Sequence, residues 1–395
     1  MSAKDWSEIF EWRVDDDGVT ITKFRQKNAT SVDVPSEIDG KPVVVIGCKA
    51  FSECKSLLEV SLPKGLQRIA NEAFRGCSSL TEVSLPSGLQ TIGDWAFGYC
   101  SSLTEVSLPE GLQTISDCAF YECKSLLNFL VAKGNANFRS VDGVLFSADG
   151  KKLRMYPGGR QKTEYVVPDG VVEIANRAFS DCSALTKVSF PSGLQTIGDW
   201  AFSYCSSLTK VSFPEGLQTI DAEAFSKCKS LTKVSFPKGL KTIGDRAFDW
   251  CESLTKVSFP KGLKTIGDSA FGGCFLLRKV TFPEGLQTIG NRAFSNCSSL
   301  SNVSFPEGLQ TIGDRAFAGC SSLTEVSFPS GLQTIGDEAF FGCKSLGNVA
   351  FPKGVKIGKN VFGRELPPEF ESQSSRDPFY WAKRGGVYAD WGNPF

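Results

Sequence analysis

The sequence predicts a solenoid of about 13–14 coils: a curved stack of short parallel β-strands on the concave side, with short helical or 3₁₀ turns on the convex side. Three observations predict it. A 23-residue block recurs along most of the chain, as in LTEVSLPSGLQTIGDWAFGYCSS at 80–102 and LTKVSFPSGLQTIGDWAFSYCSS at 185–207. The pair Ala-Phe keeps that phase at 50–51, 73–74, 96–97 and 119–120, and again at 178–179, 201–202, 224–225, 247–248, 270–271, 293–294, 316–317 and 339–340. Hydrophobic residues make up 41% of the 395, enough for one core that lengthens coil by coil. Other repeats need longer units: about 40 residues for a propeller blade and about 33 or more for two-helix repeats.

The elements follow in chain order. Residues 1–47 read as an N-terminal cap and lead-in coil, in which WRVDDDGVTITKF at 12–24 predicts a hairpin with an Asp-Gly turn. Regular coils occupy 48–130 and 168–363. Within one coil, Leu80, Val83 and Leu85 are spaced to point inward from a short strand while Glu82 and Ser84 point outward. Pro86 ends the strand and Gly88 turns the chain. Leu89 and Ile92 return to the interior, and Asp94 is placed to cap a single helical turn from Trp95 to Cys100, buried through Ala96, Phe97 and Cys100.

Between Phe120 and Phe179 the spacing is 59 where two coils would give 46. Residues 131–167 therefore read as an inserted hairpin, signalled by LFSADGKKL at 145–153. Residues 364–395 carry no repeat. They begin Pro/Ser-rich and end with Phe379, Tyr380, Trp381, Tyr388, Trp391 and Phe395, an aromatic tail or C-terminal cap.

The L-x-x-[LV]-x-[LF] core followed by I-G-x-x-A-F-x-x-C resembles the BspA-type (treponemal) leucine-rich repeat family over roughly residues 30–363. The segments VDVPSEIDGKPVVVIGCKAF at 32–51 and FRSVDGVLFSADGKKLRMYPGGRQKTEYVVPDGVVEI at 138–174 resemble the same family. The resemblance implies a leucine-rich-repeat solenoid from a bacterium or protist, at the cell surface or secreted, that binds other proteins as an adhesin. It supplies no catalytic residues.

Composition excludes much chemistry. The chain has no histidine, which removes His-based triads, His-zinc sites and His pH switches. Its 43 basic and 43 acidic residues balance, so no global basic field for nucleic acid exists. No apolar run is long enough for a membrane span. The opening MSAKDWSEIFEW shows no apolar signal core. Of 14 cysteines, Cys54, Cys77, Cys100, Cys123, Cys182, Cys205, Cys228, Cys251, Cys274, Cys297, Cys320 and Cys343 share one repeat position and read as small buried hydrophobes. Without a C-x-x-C pair there is no zinc or thioredoxin signal, and no metal or cofactor is expected. Free thiols fit a reducing compartment, whereas the family resemblance implies the surface. Cys48 and Cys118 lie outside this ladder and are the candidates for reactive thiols.

Function is left to positions where the copies differ. The outward strand position beside the central valine reads Glu59, Glu82, Glu105, Asn128, Glu164, then Lys187, Lys210, Lys233, Lys256, Lys279, then Asn302, Glu325, Asn348. With strands in register this gives an acidic ladder followed by five lysines on the concave sheet, with Lys238, Lys241, Lys261 and Lys264 near two strand ends. Like charges across strands are disfavoured, so either the row serves a charged ligand or duplication copied it. A second candidate is aromatic: Trp95 with Tyr99, and Trp200 with Tyr204, are i,i+4 pairs on the convex turn. The expected function is non-enzymatic protein binding through the charged concave sheet, the partner a host or matrix protein with an acidic patch. No nucleic acid is expected, since no aromatics interleave the lysines. The alternative is a structural scaffold assembling through its tail or coil ends. The chain is expected to be a monomer or to self-associate weakly.

Overall fold

The computed structural model describes residues 5–347 and 349–363, which form two compact units divided after Cys228. Coils in both are built alike. In the second unit the strand Lys256–Ser258 leads to a turn in which the Leu263 N–H donates to the Pro260 carbonyl at 3.1 Å, then to the two-residue strand Thr265–Ile266. Most strands pair, parallel and in register, with the counterpart 23 residues on, as Val257 with Val280 and Ile266 with Ile289, whereas Thr242–Ile243 and Thr265–Ile266 belong to separate sheets. These pairings make a Val ladder and an Ile ladder. Between them Leu254, Val257, Leu263, Ile266, Ala270, Phe271 and Cys274 are fully buried, as the alternation in the repeat requires.

The third side of the coil differs from expectation. The bends from Asp or Asn to Cys are turns, and the one helix among the described residues is the 3₁₀ turn Trp6–Glu8. Two residues of nearly every bend are left-handed, for example Trp95 (φ 55) with Tyr99 (φ 62) and Trp200 (φ 53) with Tyr204 (φ 60); the bend 117–123 has Glu122 alone. Alternate N–H groups donate to the next coil: Phe74 to the Ala96 carbonyl at 2.7 Å, Gly76 to Gly98 at 2.8 Å, Phe271 to Ala293 at 2.8 Å. An N–H committed to a neighbouring coil cannot close a helical i→i−4 bond. The bend is thus a ladder in its own right, with its backbone satisfied between coils.

Asp94 accordingly caps no helix. The acidic or amide position accepts across coils: Asn71 Oδ1 from the Asp94 N–H at 2.9 Å, Asp245 from Asp268 at 2.8 Å, Asp268 from Asn291 at 2.7 Å and Asp314 from Asp337 at 2.7 Å. Cysteine works the opposite way. Cys100 Sγ donates to the Phe74 carbonyl at 3.2 Å and Cys274 to the Phe248 carbonyl at 3.3 Å. The thiol is a hydrogen-bond donor as well as a hydrophobe. The phenylalanines stack ring on ring, Phe51 to Phe74 at 4.8 Å and Phe74 to Phe97 at 5.2 Å in the first unit, Phe248 to Phe271 at 5.2 Å and Phe271 to Phe294 at 5.5 Å in the second.

The first unit opens with an antiparallel hairpin, Phe10–Asp15 against Gly18–Phe24, whose second strand pairs with Lys41–Ile46 and so starts the Ile ladder. Gly18 is obligatory there: at φ +137, a Cβ would lie 2.5 Å from the Pro42 carbonyl oxygen. Phe24 starts the ring stack at 5.0 Å from Phe51.

The interruption continues the core instead of looping away from it. Strands Phe138–Val141, Val144–Ser147 and Lys152–Met155 form an antiparallel meander, and the last pairs parallel with Glu173–Ile174, in the place of a Thr-Ile strand. Tyr156 stands in the phenylalanine stack, 5.0 Å from Phe179, and donates its N–H to the Ala178 carbonyl as a bend phenylalanine would. Two arginines close this seam. Arg154 donates to the Ile115 carbonyl at 2.7 Å, where a following regular coil would place an N–H. Arg160, 9% exposed, donates to the Leu127 carbonyl at 2.8 Å, to Asn128 Oδ1 at 3.2 Å and to Asp142 Oδ2 at 3.2 Å.

Candidate functional site

The Val ladder sets the geometry of the charged positions. Because valine points inward, the residue before it projects outward, and every lysine of the row is exposed. In the first unit Lys187 pairs in register with Lys210. Lys187 also bonds Glu164 Oε2 at 3.1 Å, its neighbour on the other side. In the second unit Lys233 pairs with Lys256, Lys256 with Lys279, and Lys279 with Asn302. Among the described residues no carboxylate forms an ion pair with Lys233, Lys256 or Lys279. At a strand spacing of about 5 Å, neighbouring ammonium groups repel by about 0.8 kcal/mol in water before salt screening. Lys238, Lys261 and Lys264 are exposed beyond the strand ends.

The acidic side is less regular than the sequence suggests. Glu59 pairs with Ser31 and Glu105 with Asn128. Glu82 lies between them in a stretch, 81–86, that forms no strand. The backbone contacts there are long: the Thr81 N–H reaches the Leu58 carbonyl at 3.3 Å and the Thr104 N–H reaches the Thr81 carbonyl at 3.4 Å. The three glutamates are therefore exposed residues of consecutive coils and no continuous acidic ladder. Asn348 lies outside the described residues, as does the aromatic tail.

The first aromatic pair is in place. Trp95 and Tyr99 stack at 5.9 Å, and both meet Tyr121 edge-on, at 4.8 and 5.9 Å. The second pair separates: no ring contact joins Trp200 to Tyr204. Trp200 instead lies under the Arg177 guanidinium at 4.3 Å, and Tyr204 under the Lys227 ammonium at 4.3 Å. Both pairs share the same left-handed backbone; they differ in that one cation, Arg75, covers both rings of the first pair, while each ring of the second has its own. Arg177 also covers Trp95 at 5.7 Å and Tyr121 at 5.5 Å, and Arg75 covers Trp95 at 5.9 Å and Tyr99 at 5.4 Å. These ring faces are thus occupied by the protein's own cations. Burial, with the Asp181 carboxylate nearby, pushes the Tyr121 hydroxyl up, and burial pushes the Asp181 carboxyl up. Arg75, Tyr121 and Arg177 do not emerge from sequence reasoning, although all sit at bend positions the repeat phase identifies.

Burial quiets most of the ladder cysteines, whereas the neighbouring Cys77 thiol lowers Cys54. None of the 14 cysteines forms a disulfide, and of the ladder positions all but the half-buried Cys343 are buried. Burial pushes the Cys100 and Cys343 thiols up to about 12. Cys48 is exposed and Cys118 half-buried, with its Sγ 3.3 Å from Ser116 Oγ. Among the described residues no group of three or more acidic or cysteine side chains could hold a metal ion, and no helix is long and apolar enough to cross a membrane.

Known proteins agree with this architecture. The sequence profile of the BspA type leucine-rich repeat region matches residues 20–147, 159–276 and 241–366, with six copies. No curated protein matches the chain. Among solved structures, the pneumococcal vaccine antigen PcpA is similar at 19% identity and a TM-score of 0.53, over 88% of this chain and 98% of that one. A leucine-rich repeat protein from Eubacterium ventriosum is 21% identical with a TM-score of 0.50, over 90% and 92%. One from Bacteroides ovatus is 24% identical with a TM-score of 0.47, over 88% and 97%. For the first two the likeness is one of fold.

Proposed function

The chain belongs to the BspA-type leucine-rich repeat family, and from that premise we propose that it is a non-enzymatic, adhesin-like protein that recognises an acidic surface on another protein through the outward face of its Val ladder. The family is in general protein-binding and typically non-enzymatic. The observation that carries the finer reading is the in-register run Lys233, Lys256 and Lys279, exposed and without carboxylate partners among the described residues. A self-repelling row adds nothing to folding, and an acidic partner relieves it on binding. Within the first unit Lys210 is likewise exposed, in register with Lys187. Electrostatic complementarity of this kind acts mostly on specificity and association rate.

The test is a triple charge reversal, Lys210→Glu, Lys233→Glu and Lys256→Glu, with binding of candidate matrix proteins measured across a salt titration. The expected result is weaker binding with a flatter salt dependence. Affinity unchanged by both the reversal and the salt would sink the reading.

A further inference from the structure

In the strands of the regular coils the position after the buried valine is polar, and a large apolar residue takes it only beside the seam. The position after the buried valine is Ser61, Ser107, Ser189 and Ser212 in the strands of the first unit and Ser235, Ser258, Thr281, Ser304 and Ser327 in those of the second. In the two coils that flank the interruption it is Leu130 and Val166. Leu130 stands in register with Ser107, and Val166 with Ser189. Both are open to solvent, Leu130 at 45% and Val166 at 71%. Neither side chain serves the core, because Phe129 fills the inward position of its strand completely and Tyr165 is half-buried in its own. The hairpin tip bridges the two strands. The Phe129 N–H donates to the Gly143 carbonyl at 2.9 Å, and Asp142 binds Lys162, two residues before the second strand, at 2.9 Å.

Charge flanks this apolar centre with opposite sign on its two sides. Glu105 is exposed one strand before Leu130. On the far side Lys187 is already bonded to Glu164, and Lys210, one strand further, is exposed. Glu105 lies one strand spacing before Asn128, and Lys210 two beyond Glu164, each spacing about 4.8 Å. An apolar centre with a charged rim is the usual anatomy of a binding hot spot.

We infer that Leu130 and Val166 form the apolar anchor of the binding surface in the first unit, and that its occupant is an extended polypeptide segment of a partner protein. That segment is basic where it meets Glu105, carries large apolar side chains over Leu130 and Val166, and is acidic where it meets Lys210. This rests on the protein-binding reading above and adds a location and a polarity to it.

The experiment selects ligands for the full-length protein from a phage-displayed random dodecapeptide library and measures the enriched sequences as synthetic peptides. The variant is Leu130→Ser with Val166→Ser, which installs the residue that regular coils use, so its melting temperature should equal that of the parent. Expected are peptides with an apolar centre, basic at one end and acidic at the other, whose binding weakens at least tenfold on the double variant and is unchanged by Lys256→Glu. Failure of any peptide to enrich, or enrichment of peptides that bind the double variant as well as the parent, overturns the inference. Uniformly acidic peptides lost on Lys256→Glu but not on the double variant would overturn it while leaving the lysine reading intact. Peptides lost on the double variant but indifferent to salt and to Lys210→Glu would overturn the polarity assigned here and sink the lysine reading with it.

Discussion

The early coils, 48–126, and the coils of the second unit share one repeat but not one interior. Early strands end in leucine, at Leu62, Leu85 and Leu108, and have a single stack of rings, Phe51 to Phe120. In the second unit the strands end in phenylalanine, and Phe236, Phe259, Phe282, Phe305, Phe328 and Phe351 form a further stack with centroids 5.7–5.9 Å apart. The stacks meet edge-to-face, as Phe259 meets Phe271 at 5.4 Å. The early coils show that one stack suffices for the fold. The later ones carry a second stack and a Val ladder without the gap seen at 81–86, although their Ile ladder breaks between Ile243 and Thr265, where the early one is continuous.

The largest expected effect breaks this comparison most directly. Phe74→Ala and Phe271→Ala should each cost about 3–5 kcal/mol. The second should exceed the first by about 1 kcal/mol, because Phe271 alone of the two also loses an edge contact to a second stack. Urea unfolding of the two variants checks this, and equal losses would remove the energetic meaning of the second stack.

Alkali acts on what the regions have in common. A buried thiol pushed up to about 12, like Cys100, holds its proton more tightly in the folded chain than in the unfolded one, whose value is 9.0. Its contribution is therefore complete below about pH 9 and is lost as pH rises from there toward 12, at up to about 1.4 kcal/mol per pH unit. Unfolding curves between pH 8 and 10.5 should show this decline, and Cys100→Ala should make it shallower. A stability independent of pH across that range would contradict the buried-thiol ladder.

The acceptor ladder gives a smaller contrast. Asn71→Ala, which frees the Asp94 N–H, should cost about 1 kcal/mol, and Asp268→Ala, which frees the Asn291 N–H, somewhat more because its acceptor is charged. Asp268→Asn keeps the bond and should cost least of the three. Hydrogen exchange of the freed amides reports the loss at each site.

Smallest is the charge term itself. Lys256→Gln removes two like-charge neighbours and should stabilise the second unit by under about 1 kcal/mol at low salt, and by nothing measurable in about 0.5 M salt. Glu105→Gln, whose strand partner is Asn128, should show no such salt dependence. A gain at Lys256 that persists in high salt would mean the lysines do not repel.

Much of this was legible in the sequence, and what was not has a physical cause. The period, the inward Leu, Val, Ile, Ala and Phe, and the buried cysteine position follow from alternation alone. The bends did not, because left-handed backbone announces itself through glycine or asparagine, and here Trp95, Tyr99, Arg177 and Trp200 adopt it. Asp94 looked like a helix cap because an acceptor for a helical N–H and one for a neighbouring coil's N–H are the same side chain. The interruption read as an insertion because nothing in its composition says that Tyr156 takes a phenylalanine's place. The charged row was visible, but whether Glu82 sits on a strand depends on hydrogen-bond lengths no sequence carries. Leu130 and Val166 were visible as departures from serine, and only their exposure makes them informative.

The bonds that tie coil to coil have a fixed reach. Cysteine spans 26 residues back, the Asp/Asn acceptor 23 forward, and each ring touches the ring 23 away. Removing or duplicating one whole coil within the second unit therefore leaves every donor with an acceptor and every ring with a neighbour. Genes for such arrays can lengthen and shorten in steps of 69 base pairs by unequal recombination, and the protein tolerates each step. The seam permits no such step. Arg154 reaches 39 residues back to Ile115, and Arg160 reaches 33 back to Leu127, so a coil gained or lost there would strand both arginines. Natural length variants of this chain should accordingly differ by multiples of 23 residues away from the seam and never across it.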